Sequence, residues 1–255
     1  LVDTHCHLSR CVGPPGLILE RATEAGLTRL MTIGLDEANN REQIALAEAF
    51  EPVYAAVGRH PNDADGFDRD AGVDILELSS HEKVRAIGET GLDFYRDTAD
   101  PGNQRRAFSA QIEIALETDL PIVIHLRDRQ DSDAAAAETF AMLEAAGEDL
   151  TVILHCFSVP QRVDQAVERG WFCSFAGNLT YPANGEIREA AVLVPDELIL
   201  VETDAPYLTP QSKRRQRNEP ANVVETAAML AGLRGTPLDE FDRIVTENSS
   251  RLFGW

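Results

Sequence analysis

Eight short apolar runs alternating with helix-patterned stretches predict an α/β chain folded as a (β/α)8 TIM-type barrel, in a single domain over residues 1–255. Two further observations support this. Several runs, such as Ile122-Val123-Ile124 and Val152-Ile153-Leu154, are apolar at consecutive positions, as strands covered on both faces are. A length of 255 residues also accommodates eight βα units without a second domain. The competing arrangement is an open doubly wound sheet, and the glycine-rich phosphate loop that usually follows its first strand is missing.

The first strand is expected at residues 2–5, followed by a helix over 15–25 that ends before Gly26, a residue type common at helix ends. A strand at 29–34 and a helix over 37–50 come next, then a strand at 53–58 and a helix over 68–81. The fourth and fifth strands fall at 84–89 and 122–125, with apolar residues at three- and four-residue spacing over 104–118 between them. The same spacing marks 134–146 and 161–169, on either side of a strand at 152–155. Strands at 171–175 and 198–202 enclose a helix over 183–193, and helices over 221–233 and 238–251 finish the chain. No linker, low-complexity region or second domain interrupts the alternation.

The formal charge is −20, which excludes a protein that grips duplex DNA through bulk positive charge. The exception in this acidic chain is the run Lys213-Arg214-Arg215-Gln216-Arg217, expected as a solvated loop, with a phosphate clamp as the alternative. Cys6, Cys11, Cys156 and Cys173 form no C-x-x-C pair, and buried, reduced thiols are expected. No apolar run approaches the roughly 20 residues of a membrane span, and no basic-then-apolar leader is present. A soluble, cytoplasmic protein with no membrane contact and no obligate protein partner is therefore expected.

Five of the six histidines stand at or just past the end of an expected strand: His5 and His7 on the first, His60 on the third, His125 on the fifth and His155 on the sixth. In a (β/α)8 barrel those ends share one mouth, where active sites are built. Alternation along a strand turns His5 and His7 to one side and Cys6 to the other. His81 lies near a helix end and reads as a surface residue. Glu89, ending the fourth strand, and Asp204, following the eighth, add two carboxylates. Four histidines and two carboxylates exceed what one tetrahedral ion needs, so a two-metal centre is expected, with the ions roughly 3.5–4 Å apart. Strand order assigns His5, His7 and Asp204 to one divalent cation, His125 and His155 to the other, and Glu89 to a position shared by both. The histidines suit zinc, iron, manganese, nickel or cobalt, and the oxygens suit magnesium.

Six blocks in order carry a family resemblance. They are Asp3-Thr4-His5-Cys6-His7-Leu8, Val57-Gly58-Arg59-His60-Pro61, Gly88-Glu89-Thr90-Gly91-Leu92-Asp93-Phe94-Tyr95, Ile124-His125-Leu126-Arg127-Asp128, Leu154-His155-Cys156-Phe157-Ser158 and Glu202-Thr203-Asp204-Ala205-Pro206-Tyr207-Leu208. With Arg217-Asn218-Glu219-Pro220 and Asn248-Ser249-Ser250-Arg251-Leu252-Phe253, the chain resembles the TatD family of metal-dependent deoxyribonucleases, among the amidohydrolase-like barrels. The resemblance implies hydrolysis of DNA, often 3′→5′ on single strands, with magnesium favoured for activity. It implies ligand roles for His5, His7, Glu89, His125, His155 and Asp204, and places His60 beside the scissile phosphate rather than among the ligands. Val159-Pro160, where relatives commonly carry glycine, and the stretch 211–217 depart from the family pattern.

The expected mechanism is attack on phosphorus by a water activated between two cations, with Asp204 orienting it and accepting its proton. His60 and Arg127 would steady the phosphate, an ion pair of Arg127 with Asp128 or another local acid being the plain alternative, and Glu202 would support the ligands from behind or bind an extra ion. The same centre could instead serve a D-aminoacyl-tRNA ester, or a small cyclic amide, lactone or phosphotriester. Against the small-molecule branch, Glu89 occupies the strand-four position where a metal-binding lysine would stand in that wider group. Loss of activity in a scaffold protein would show as a substituted ligand, and none of the six positions is substituted.

Overall fold

Each apolar run becomes a strand in the computed structural model, which describes residues 1–96 and 98–255. The strands are β1 (Val2–Cys6), β2 (Arg29–Ile33), β3 (Val53–Val57), β4 (Val84–Asp93), β5 (Ile122–Arg127), β6 (Val152–Leu154), β7 (Phe172–Phe175) and β8 (Ile199–Val201). They follow one another in a single sheet in the order β1 to β8. A parallel bridge from Cys6 to Ala205 joins the end of β1 to the segment after β8. This is the (β/α)8 class. An open doubly wound sheet would not bring its first strand against the segment that follows its last.

The helices are α1 (Pro15–Glu24), α2 (Glu37–Ala49), α3 (Arg69–Ser79), α4 (Pro101–Thr118), α5 (Ala134–Ala146), α6 (Val163–Glu168), α7 (Gly185–Leu193), α8 (Val223–Arg234) and α9 (Leu238–Phe253). Their starts are set by caps that apolar spacing does not register. The Asp68 side chain accepts from the Ala71 N–H at the start of α3. Asp100 does the same for Gly102 and Asn103, and Pro101 takes the first position of α4, three residues ahead of the expected start. No described helix is long and apolar enough to cross a membrane.

The chain divides into two compact units. One comprises residues 1–32, 49–53 and 156–255. Within it β1 pairs with β2, and β7 with β8, all parallel. The β1–β2 register shifts between Asp3 and Cys6, which places Thr4 and His5 in an irregular stretch. Val2, Met31, Phe175, Leu200, Val201, Phe241 and Val245 are buried here, and α9 packs on β1 and β8. Asn248 of α9 donates through Nδ2 to the carbonyls of Asp196 and Ile199, which fixes the entry to β8.

The other unit comprises residues 33–48 and 54–155. Within it β3, β4, β5 and β6 pair in sequence, all parallel, over a core that includes Ile75, Ile87, Phe108, Ile122, Ile124 and Phe140. β4 runs four residues past its expected end because Thr90 to Asp93 pair with Ile124 to Arg127. The β4–β5 register shifts between Ile87 and Thr90, so Glu89 stands in a bulge. Gly91 has φ +139°, and a Cβ there would lie 2.1 Å from the His125 carbonyl oxygen, so only glycine permits this approach of β4 to β5.

Candidate metal centre

In the first unit the bulged end of β1 presents His5 and the residue just past it, His7, to one carboxylate. His5 Nε2 lies 3.8 Å and His7 Nε2 3.4 Å from Asp204 Oδ1, and all three residues are buried. Cys6 turns away, its Sγ 3.5 Å from the Met31 carbonyl, as alternation requires. Asp204 adopts φ +51°, a left-handed conformation that costs energy for a non-glycine residue. Its surroundings hold it there: its N–H donates to the His5 carbonyl at 2.9 Å. Asn218 donates from Nδ2 to the carbonyls of Thr203 and Tyr207, on either side of Asp204, and accepts from Asn222. The Asn218 of the late motif is thus a clamp on the Asp204 turn.

Two further carboxylates lie behind these donors. Asp3 accepts from the Thr203 hydroxyl at 2.6 Å, the Thr203 N–H at 2.9 Å and the His5 N–H at 3.2 Å. Burial raises its pKa to about 8 against the lowering effect of those hydrogen bonds. Glu202 is fully buried and accepts the Cys156 N–H at 2.9 Å, so it fixes the backbone next to His155.

In the second unit three imidazoles converge on one oxygen. Glu89 Oε1 lies 2.6 Å from His125 Nδ1, 3.1 Å from His155 Nε2 and 3.6 Å from His60 Nε2. The His125 ring lies 4.5 Å from that of His60 and 5.7 Å from that of His155, centroid to centroid. Donor atoms of His60, Glu89 and His125 all fall within 4.8 Å of one another, close enough to hold one ion. A largely buried set of imidazole nitrogens and carboxylate oxygens fits a divalent cation. His60 Nδ1 accepts the Asn62 N–H at 3.0 Å, so the neutral ring carries its proton on Nε2, the atom aimed at Glu89.

Sequence reasoning missed Asp93. Its Oδ2 lies 3.2 Å from His125 Nε2 and accepts from Asn62 Nδ2, and its Oδ1 accepts the N–H groups of Tyr95 and Arg96. Burial would raise its pKa, but the hydrogen bonds from His125 and the Arg96 N–H outweigh burial and hold it below the ordinary aspartate value. His125 shows the converse. Burial pulls its pKa down, and the contacts with Asp93 and Glu89 push it above the ordinary value. With Nε2 engaged by Asp93, Nδ1 is the ring atom that faces Glu89. The signal was present: Asp93 lies four residues after Glu89 in the same motif and pairs with Arg127, two residues beyond His125.

Other expected residues are placed as follows. Arg127 is exposed at the end of β5 and lays its guanidinium over the Tyr95 ring, 4.1 Å from the centroid. Asp128 accepts the N–H groups of Ala135 and Ala136 at the start of α5, so the Arg127–Asp128 ion pair gives way to a helix cap and a ring contact. His81 bonds Glu48 near the end of α3. Arg214 of the basic run rests on Tyr181, 4.4 Å from the centroid, and Arg215, Gln216 and Arg217 are exposed, as a solvated loop would be. The thiols require a correction. Cys6 and Cys173 are buried, but Cys11 and Cys156 are half-buried. Cys156 follows β6 with φ +43°, outside the strand alternation expected to bury it.

A sequence model described as TatD related DNase matches residues 2–254. A metal-dependent hydrolase, TatD, of Mycobacterium tuberculosis is 38% identical over 264 residues, covering 100% of this chain and 98% of its own length. A protein of Dickeya dadantii named 3′-5′ ssDNA/RNA exonuclease TatD is 35% identical over 245 residues, covering 92% of this chain and 90% of its own. Among solved structures, the TatD homologue YJJV of Escherichia coli K12 superposes with a TM-score of 0.89 at 28% identity, covering 100% of this chain and 98% of its own. Matched from end to end, the chain belongs to the TatD-related DNase family of metal-dependent hydrolases.

Proposed function

We propose that this chain is a metal-dependent phosphodiesterase that hydrolyses single-stranded DNA in the 3′→5′ direction. The observation that carries the reading is the convergence of His60, His125 and His155 on Glu89 Oε1, in a chain 35% identical to a relative named for exonuclease action on single strands. His5, His7 and Asp204 would hold one divalent cation, and Glu89, His125 and His155 a second. Magnesium, zinc, manganese, iron, nickel and cobalt are the candidates. Bound cations would lower the pKa of a coordinated water and offset the charge of the phosphate.

Asp204 orients the attacking water and takes its proton. Its left-handed backbone, clamped through Asn218, keeps that carboxylate in place. His60 donates from Nε2 to a non-bridging phosphate oxygen, since Nδ1 is occupied by the Asn62 N–H. Arg127 adds positive charge at the end of β5. None of the four thiols forms a disulfide, which fits a reducing cytoplasm.

Glu89→Gln with bound metal and nuclease rate measured together is the central test. We expect metal affinity to fall at least about tenfold and the rate about a hundredfold or more. Retention of both would remove Glu89 from the centre, and loss of both ions rather than one would establish the shared position expected from strand order. End-labelled single- and double-stranded DNA, digested with a metal series and a chelator control, reads polarity and substrate. Cleavage of a D-aminoacyl-tRNA ester with DNA left intact would replace the nuclease reading with the ester one.

A further inference from the structure

Tyr95 is an aromatic residue that the core does not use. It follows β4 and remains 55% exposed. Arg127 covers part of its ring, 4.1 Å from the centroid, and is itself exposed. Asp93 and Arg127 are register partners, so Tyr95 lies two residues beyond Asp93, and Arg127 two residues beyond His125. Asp93 and His125 are in contact at 3.2 Å. The Tyr95–Arg127 pair therefore stands one strand repeat outward from the Glu89 cluster, roughly 6–7 Å along the strands.

The pair is held in advance of any ligand. The N–H groups of Tyr95 and Arg96 both donate to Asp93 Oδ1, at 3.0 and 2.9 Å, which fixes the turn out of β4. Phe94 N–H donates to the Arg127 carbonyl at 2.9 Å, and Arg129 Nε to the Phe94 carbonyl at 2.6 Å. The adjacent acid, Asp128, is engaged with the start of α5. Among the described residues no carboxylate pairs with Arg127. A fixed, exposed aromatic face beside a planar cation is what an unpaired base stacks on.

Building on the nuclease reading, we propose that Tyr95 and Arg127 form a stacking platform for a nucleobase next to the phosphate under attack. They would make single strands preferred, since the faces of bases inside a duplex are already covered by their neighbours. The net charge of −20 sharpens this role: bulk phosphate attraction is weak, so stacking carries a larger share of the affinity.

The test is fluorescence anisotropy of the full chain, with chelator present, on labelled oligothymidylate and on an all-abasic strand of equal length. Wild type is expected to prefer the base-bearing strand by about tenfold or more, the worth of one stacked base. Tyr95→Leu should bind the two strands alike, and Tyr95→Phe should keep the preference. A Tyr95→Leu protein that discriminates like wild type, or a wild type blind to the bases, overturns the platform and leaves the nuclease reading standing. A wild type that neither binds nor, with metal, cleaves either strand overturns the nuclease reading and the platform with it.

Discussion

Asp93 shows how much of this centre depends on a residue that is not itself one of the expected ligands. By engaging His125 Nε2 it leaves Nδ1 toward Glu89, an arrangement that would orient the imidazole for the proposed cation. Asp93→Asn should keep the shape and lose the charge. We expect metal affinity to fall by about 10- to 100-fold with little change in melting temperature of the metal-free protein, measured by titration calorimetry and thermal denaturation. His60→Ala should do the reverse, holding metal while turnover drops about 10²-fold or more. Loss of metal in that variant would make His60 a ligand. Away from the centre, burial pushes the Cys173 thiol up from 9.0 to about 12. Its folded pKa exceeds its unfolded one, so its contribution to stability is complete below pH 9 and is lost as pH rises toward 12. Cys173→Ala should therefore flatten the fall of melting temperature between about pH 9 and pH 11.

At the scale of elements, two bulges and a glycine position the candidate donors. The shift in β1 places His5 and His7 on Asp204, and the shift in β4 turns Glu89 to three imidazoles. Gly91 permits the second arrangement, because β4 passes the His125 carbonyl where a Cβ would stand at 2.1 Å. Gly91→Ala must displace backbone and also adopt a left-handed φ. It should cost about 3 kcal/mol or more in urea unfolding and weaken metal binding. Asp128, in the same motif as His125, acts on α5 instead. Asp128→Ala should cost about 1 kcal/mol and leave bound metal unchanged, a contrast that separates a capping residue from a ligand.

The molecule as a whole carries 43 acidic against 23 basic residues. Like-charge repulsion opposes folding in such a chain, and bound cations or salt relieve it. Stripping divalent metal with a chelator should lower the melting temperature by several degrees, since a ligand at a hundred times its Kd stabilises by about 2.7 kcal/mol. Adding monovalent salt to the metal-free protein should recover part of the loss. An unchanged melting temperature through both steps would mean that the His–carboxylate clusters bind no cation in solution.

The sequence alone determined the alternation of strands and helices and the residues that end each strand. Periodicity and apolar runs report burial, and burial is set locally by which side chains face a core. It also singled out His5, His7, His60, His125 and His155 as candidates, since histidines at strand ends stand out against so few histidines overall. Tertiary structure decided which atom meets which: Asp93 on His125, Arg127 on Tyr95 rather than Asp128, and Asn218 on the Asp204 turn. Those contacts depend on register shifts and caps. A register shift is settled between strands far apart in the chain, so no local pattern in either strand records it.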